Sequence, residues 1–141
     1  MRRWEVEARE GIRHLVTSYN AFGDRGRVAE LAELFEPDGA LEVYGGDTLE
    51  GPEAIERYLS QVSAGNTASA TYWRHYVATH HIEVADREHA TGTCYFLVIA
   101  NRGLDHWGRY RDRYRRSGLG PWRFEHRLVR RDGGVDDPPP S

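Results

Sequence analysis

The chain has 141 residues, enough for one domain with a sizeable core. Its formal net charge of −3 gives no reason to expect nucleic acid or an anionic membrane as partner. All of its basic residues are Arg, which excludes a Schiff-base or P-loop lysine, and no apolar run approaches the roughly 20 residues that cross a bilayer.

The N-terminus, Met1-Arg2-Arg3-Trp4-Glu5, enters a charged amphipathic pattern without the apolar stretch of a secretory signal. One cysteine, Cys94, excludes an internal disulfide, so a cytoplasmic location is expected. Trp4, Ala8, Ile12, Leu15, Tyr19 and Phe22 recur at steps of three and four, one face of a helix. Gly23 is expected to end that helix in the left-handed conformation. A short second helix spans about Arg27 to Phe35, and Glu36-Pro37-Asp38-Gly39 reads as a turn. Ala40 to Tyr44 reads as a short strand. Gly51-Pro52 opens a third helix with Ile55, Tyr58, Leu59 and Val62 as its apolar stripe, and Ala64 to Ala70 reads as a mobile loop.

From there the period changes from helical to alternating. Four strands are expected, at about Tyr72–Val84, His89–Ala100, Trp107–Arg115 and Trp122–Arg130. Cys94 lies mid-strand in an apolar run and is expected to be buried and inert. The domain is expected to occupy residues 1–131, followed by a flexible, proline-rich tail at 132–141. Helices first and strands last imply an α+β class. A cone-shaped, curved mixed or antiparallel sheet, wrapped around three N-terminal helices, would bury both apolar sets and enclose a pocket.

His75 shares a strand face with Trp73 and Val77, the apolar side of Tyr72–Val84. A titratable ring there is either a satisfied core histidine or a working acid/base. Asp24, after the first helix, likewise has two readings. It caps the second helix, or it places a carboxylate beside His75, fixing the ring tautomer and freeing the other nitrogen to take a proton. Tyr19 is either a core tyrosine or a phenol aimed into the pocket to stabilise developing negative charge.

In Gly108–Arg116, Tyr110, Asp112 and Tyr114 share one face while Arg109, Arg111, Arg113 and Arg115 take the other. The arginines do not interleave with aromatic stacking groups, so an outer, solvated or subunit-facing side is expected rather than a nucleic-acid surface. Strict alternation sets Arg127 opposite Trp122 and Phe124, so it reaches a pocket only if its strand carries a bulge. His75, His80, His81 and His89 match no zinc spacing, and there is no dinucleotide fingerprint, so neither metal nor cofactor is expected.

Several short motifs, in order, carry a family resemblance across about Trp4 to Arg131. They are Tyr19-Asn20-Ala21-Phe22-Gly23-Asp24, Glu33-Leu34-Phe35-Glu36-Pro37-Asp38-Gly39, Leu49-Glu50-Gly51-Pro52-Glu53-Ala54-Ile55, Arg74-His75-Tyr76, Ile82-Glu83-Val84, Gly108-Arg109-Tyr110-Arg111-Asp112 and Trp122-Arg123-Phe124. Together they resemble the SnoaL-like branch of the nuclear transport factor 2-like superfamily. The resemblance is nearest to its cofactor-free lyases, among them scytalone dehydratase, bile-acid 7α-dehydratase and hexachlorocyclohexane dehydrochlorinase.

That resemblance implies a dehydratase built on a His75–Asp24 dyad, with Tyr19 and Arg127 as further catalytic groups. It implies pocket-wall residues Trp73, Tyr110 and Phe124, and Leu41 where relatives carry an aromatic. The implied partners are a small, hydrophobic, cyclic substrate and further copies of the chain in a homotrimer or homodimer. The superfamily also holds isomerases, polyketide cyclases and members without activity, so fold alone does not choose among lyase, isomerase or cyclase, and binding module.

Overall fold

The computed structural model describes the backbone of residues 1–69 and 72–139, and the side chains of all of these except 66–69. Three helices come first, interrupted by a strand pair. They are α1 (Arg3–Asp24), α2 (Val28–Ala32), β1 (Phe35–Val43), β2 (Thr48–Glu50) and α3 (Pro52–Ser69). Four long strands follow: β3 (Trp73–Val84), β4 (His89–Ala100), β5 (Gly103–Arg116) and β6 (Trp122–Gly134). All six strands form one curved, unclosed sheet in the order β2-β1-β6-β5-β4-β3. Only β1 and β6 run parallel; the other neighbours are antiparallel. This is the α+β architecture expected from the pattern. Among the described residues, no helix is long and apolar enough to cross a membrane.

The helices lie on the concave face because their apolar stripes need cover. Ile12, Leu15 and Tyr19 of α1 pack into a cluster with Phe35, Tyr110, Tyr114 and Phe124 from the sheet. Fully burying side chains of this size stabilises by roughly 1.5–3 kcal/mol each. Gly11 sits mid-helix, where glycine costs about 1 kcal/mol relative to Ala. A Cβ there would come within 2.8 Å of the Trp122 ring, so the missing side chain lets α1 lie flat on β6.

Several boundaries differ from the sequence expectation. Helix α1 continues through Gly23 to Asp24, and the left-handed residue is Gly26, at φ 72°. Glu36–Gly39 is not a free turn but an irregularity inside β1, between the pairings of Phe35 with Phe124 and Ala40 with His126. Residues 64–69, expected as loop, extend α3, and Ala70 lies outside the described residues. This stretch holds no proline to end the helix.

Strand β6 runs on to Gly134, past the expected end at Arg130 and into the segment assigned to the tail. Beyond it, the Val135 N–H donates to the Asp105 carbonyl at 3.0 Å. Asp137 accepts two bonds from Arg131, at 2.9 and 3.1 Å. The chain is thus tied to the ends of β5 and β6 as far as Asp137.

One-residue bulges on β3 and β6 reset which side chains face inward. On β3, Ala78 pairs with Tyr95 and His81 with Thr93, leaving one extra residue, and Thr79 takes a left-handed φ of 53°. A β-branched residue at such a φ is a genuine backbone outlier. The bulge turns His80 inward, where its Nε2 lies 3.1 Å from the Tyr114 hydroxyl. On β6, Phe124 pairs with Tyr114 but His126 with Arg113, so Glu125 is the extra residue. This is the bulge that Arg127 required, and Arg127 now shares the inner face with Phe124.

Candidate active site

A cavity of about 540 Å³ opens between the helices and the concave sheet face. Trp73 and His75 of β3, Phe96 of β4, Tyr110 of β5 and Leu41 of β1 form its sheet wall. Tyr19, Asn20 and Asp24 of α1 and Tyr58 of α3 close the opposite side.

Asp24 and His75 meet at the cavity. Oδ2 of Asp24 accepts the His75 backbone N–H at 2.9 Å, and Oδ1 lies 2.5 Å from Nδ1 of the ring. Strand β3 is the edge of the sheet, so alternate N–H groups on its free side have no strand partner. Asp24 satisfies one of them and orients the ring with the same carboxylate. The capping role is excluded, because the N-cap of α2 is Arg27 and α2 has no side-chain cap bond. An ionised carboxylate can only accept, so the ring proton belongs on Nδ1 and the Nε2 lone pair is left available. No described side chain bonds that Nε2. Trp73 and Phe96 flank the imidazole at ring-centroid distances of 6.5 and 6.2 Å.

Tyr19 lines the cavity as well, though it is buried, with a relative exposure of 8%. Its ring packs edge-on against Tyr110 and Phe124 at 5.8 and 5.7 Å. Burial raises the pKa of its hydroxyl above the usual 10.0, partly opposed by the positive charge of Arg127. The phenol therefore stays protonated and can act as a donor. Tyr110 is also held protonated, chiefly by burial, and its hydroxyl makes a long 3.3 Å bond to Asn20 Oδ1.

Arg127 and Phe124 do not line the cavity. Both are fully buried one layer behind Tyr19 and Tyr110. The Arg127 guanidinium lies 3.7 Å from the Tyr110 ring centroid and 4.3 Å from that of Tyr19. Burial alone would lower its pKa, but the Asp112 carboxylate outweighs this and holds it above the ordinary arginine value. Arg127 thus acts on the cavity through the tyrosines rather than by touch. Phe124 is core, its ring tilted against that of Phe35 at a centroid distance of 5.0 Å. Cys94 is buried, and desolvation pushes its thiol up to about 11.

Sequence reasoning passed over His106. It lines the cavity, with Nδ1 2.7 Å from Asp105 Oδ2. The signal was present, because His106 is in phase with Tyr110, Asp112 and Tyr114 on one strand face. Asn101 to Asp105 was expected to be a turn, yet β5 begins at Gly103 and carries Asp105 as a bulge residue. Among the described residues, no three His, Cys, Asp or Glu side chains gather as a metal site.

Solved structures with the same fold include an NTF2-like, cystatin-fold protein from Novosphingobium aromaticivorans. It is 28% identical with a TM-score of 0.79, covering 92% of this chain and 86% of that one. A second protein from the same organism, named after scytalone dehydratase, is 19% identical with a TM-score of 0.82, covering 100% and 95%. LinA is 20% identical with a TM-score of 0.80, covering 97% of each chain. At such identities the last two show a shared fold. No curated protein matches the chain. The match that extends through the sequence is to a domain family, over residues 4–128, and it takes in both the α1 carboxylate and the β3 histidine: the chain belongs to the SnoaL-like domain family, within the nuclear transport factor 2-like fold.

Proposed function

We propose that this protein is a cofactor-free lyase, a dehydratase, in which His75 removes a proton from a carbon beside an activating group. One observation carries this reading: Asp24 holds the Nδ1 side of His75 at 2.5 Å while Nε2 has no partner among the described residues at a largely apolar cavity. A base needs a lone pair aimed at the substrate and a partner that stabilises the imidazolium, and the dyad supplies both. Tyr19 is the donor for the oxyanion that develops. Arg127 sits behind it and favours negative charge there without touching the substrate.

Trp73, Phe96, Leu41 and Tyr110 suit a small, hydrophobic, cyclic molecule. Structural likeness to the protein named after scytalone dehydratase supports the reaction class. The outer face of the sheet supports self-association as a homodimer or homotrimer. There Tyr76, Leu97 and Trp107 form an exposed row in cross-strand register.

The test is turnover of a panel of hydroxylated bicyclic and polycyclic carbonyl compounds, followed by product mass. Loss of one water marks a dehydratase, whereas an unchanged mass marks an isomerase or cyclase. His75→Gln and Asp24→Asn should each lower the rate by about 10²–10⁴-fold. In Asp24→Asn the amide keeps one oxygen for the His75 backbone N–H, but its nitrogen cannot accept from Nδ1–H. The Asp24→Asn protein should therefore fold normally while its ring shifts to the Nε2–H tautomer, read by long-range ¹H–¹⁵N NMR. Turnover at the wild-type rate in either variant would end the dyad mechanism.

A further inference from the structure

We propose that His106, held by Asp105, is the second proton-handling residue of the cavity and protonates the leaving oxygen. This rests on the reading of His75 as base and extends it to the other half of the elimination.

Four observations converge on it. The two pairs are built alike, with Nδ1 bound to a carboxylate at 2.5 Å in His75–Asp24 and 2.7 Å in His106–Asp105. The His106 side chain keeps 17% of its surface exposed and that of His75 21%, so both are half-withdrawn from water yet line the cavity. Neither Nε2 bonds another described residue.

The register is the third observation. His75 pairs with Val98, and Val98 pairs with His106, so the two histidines stand in one cross-strand row on the same face. Two strand spacings put their Cα atoms about 10 Å apart. Two imidazoles reaching inward from that distance leave room for an H–C–C–O unit between their outer nitrogens.

Fourth, the same two aromatic rings touch both histidines. Trp73 lies 5.0 Å from His106 and 6.5 Å from His75, and Phe96 lies 6.1 and 6.2 Å away. A ring-shaped substrate held by Trp73 and Phe96 is therefore within reach of both. An Asp–His pair that served only to close a turn would not need its free nitrogen at the cavity.

The step balances without an outside reagent. His75 Nε2 takes the carbon-bound proton, and the C–H electron pair becomes the C=C bond. The neighbouring C–O bond breaks, and its electron pair goes to oxygen. His106 in its imidazolium form gives the Nε2 proton to that oxygen, which leaves as water. His75 ends protonated and His106 neutral, and one proton returns between them through water in the emptied cavity. Asp105 is a positioning residue: it keeps Nδ1–H engaged so that the transferable proton is the one on Nε2.

Two benzisoxazoles test this without knowledge of the natural substrate. In both, a base removes the ring C–H and the N–O bond opens to a cyanophenolate. The 5-nitro compound leaves readily, whereas the unsubstituted one gains more from protonation of its oxygen. His75→Gln should lower both rates by about 100-fold or more. His106→Gln should lower the unsubstituted rate at least about 10-fold more than the nitro rate, with a melting temperature close to wild type. Asp105→Asn should show the same leaving-group dependence, more weakly.

Equal losses on both probes in His106→Gln, or no loss, would overturn the proposal. A wild-type protein inert to both would remove the base and with it the role of His106. Turnover that survives in His75→Gln but keeps its leaving-group dependence on His106 would reject the base and retain the acid.

Discussion

Asp112 grips Arg127 through two parallel bonds, Nε to Oδ1 at 2.8 Å and Nη2 to Oδ2 at 3.0 Å, and neither side chain reaches solvent. They are direct cross-strand partners on β5 and β6. The Tyr114 hydroxyl adds a third bond, donating to Asp112 Oδ2 at 2.8 Å. Removing one partner would leave a charge in the core without compensation. Asp112→Leu should therefore cost about 3–5 kcal/mol, and the double variant Asp112→Leu/Arg127→Met should recover much of that. Denaturant unfolding measures both. A single variant within about 1 kcal/mol of wild type would mean that water reaches the guanidinium.

The Glu125 bulge fixes the face on which Arg127 stands. Deleting Glu125 removes the extra residue, and the regular strand that results keeps Arg127 and Val129 in phase with Phe124. The deletion should therefore still unfold cooperatively. Glu125→Ala keeps the residue count and loses only contacts with Arg113 and Arg115 at 3.6 and 3.5 Å, so it should cost about 1 kcal/mol or less. Circular dichroism melts of the two proteins should each show one cooperative transition. Loss of that transition in the deletion alone would show that the local twist of the bulge is needed as well as the facing it sets.

His80 predicts a pH dependence of stability. Burial is the largest influence and lowers its pKa below the ordinary 6.5; Asp112 opposes this, while Arg127 and Arg13 add to it. The folded protein then binds this proton less readily than the unfolded chain. The stability contribution of a neutral His80 is complete above about pH 6.5 and is lost as pH falls through the lower folded value. The melting temperature should accordingly drop more between neutral and mildly acidic pH in the wild-type protein than in His80→Gln. Parallel curves would show that His80 is solvated.

The proposed self-association through the outer sheet face would depend on Tyr76, Leu97 and Trp107. A charge at the centre of an apolar contact is desolvated without a partner. Trp107→Glu should give a monomer by native mass spectrometry with the melting curve of a folded protein, since Trp107 is partly exposed in the single chain. An unchanged oligomer would place the contact on another surface.

Local pattern was enough for part of this protein. The 3.6-residue period of Trp4 to Phe22 and the alternation from Trp73 onward specify helices before strands, because each depends only on neighbouring residues. Alternation also places Tyr110, Asp112 and Tyr114 on one face and the arginines on the other, as the burial of β5 bears out. The pairing of Asp24 with His75 was one of two open readings. Whether Asp24 caps α2 or bonds the edge of β3 depends on which element lies against the end of α1, and residues 51 positions apart carry no local record of that.

The tertiary structure decided whatever turned on a single extra residue. A bulge reverses the facing of everything after it on its strand, so Thr79 set the direction of His80 and Glu125 that of Arg127. At the start of β5 an expected turn, with Asp105 as its bulge residue, became the seat of a second histidine–carboxylate pair. Bulges arise from the register between strands, a non-local property. The sequence by itself therefore determined which residue types were available for proton transfer, and the packed sheet decided which of them face the cavity.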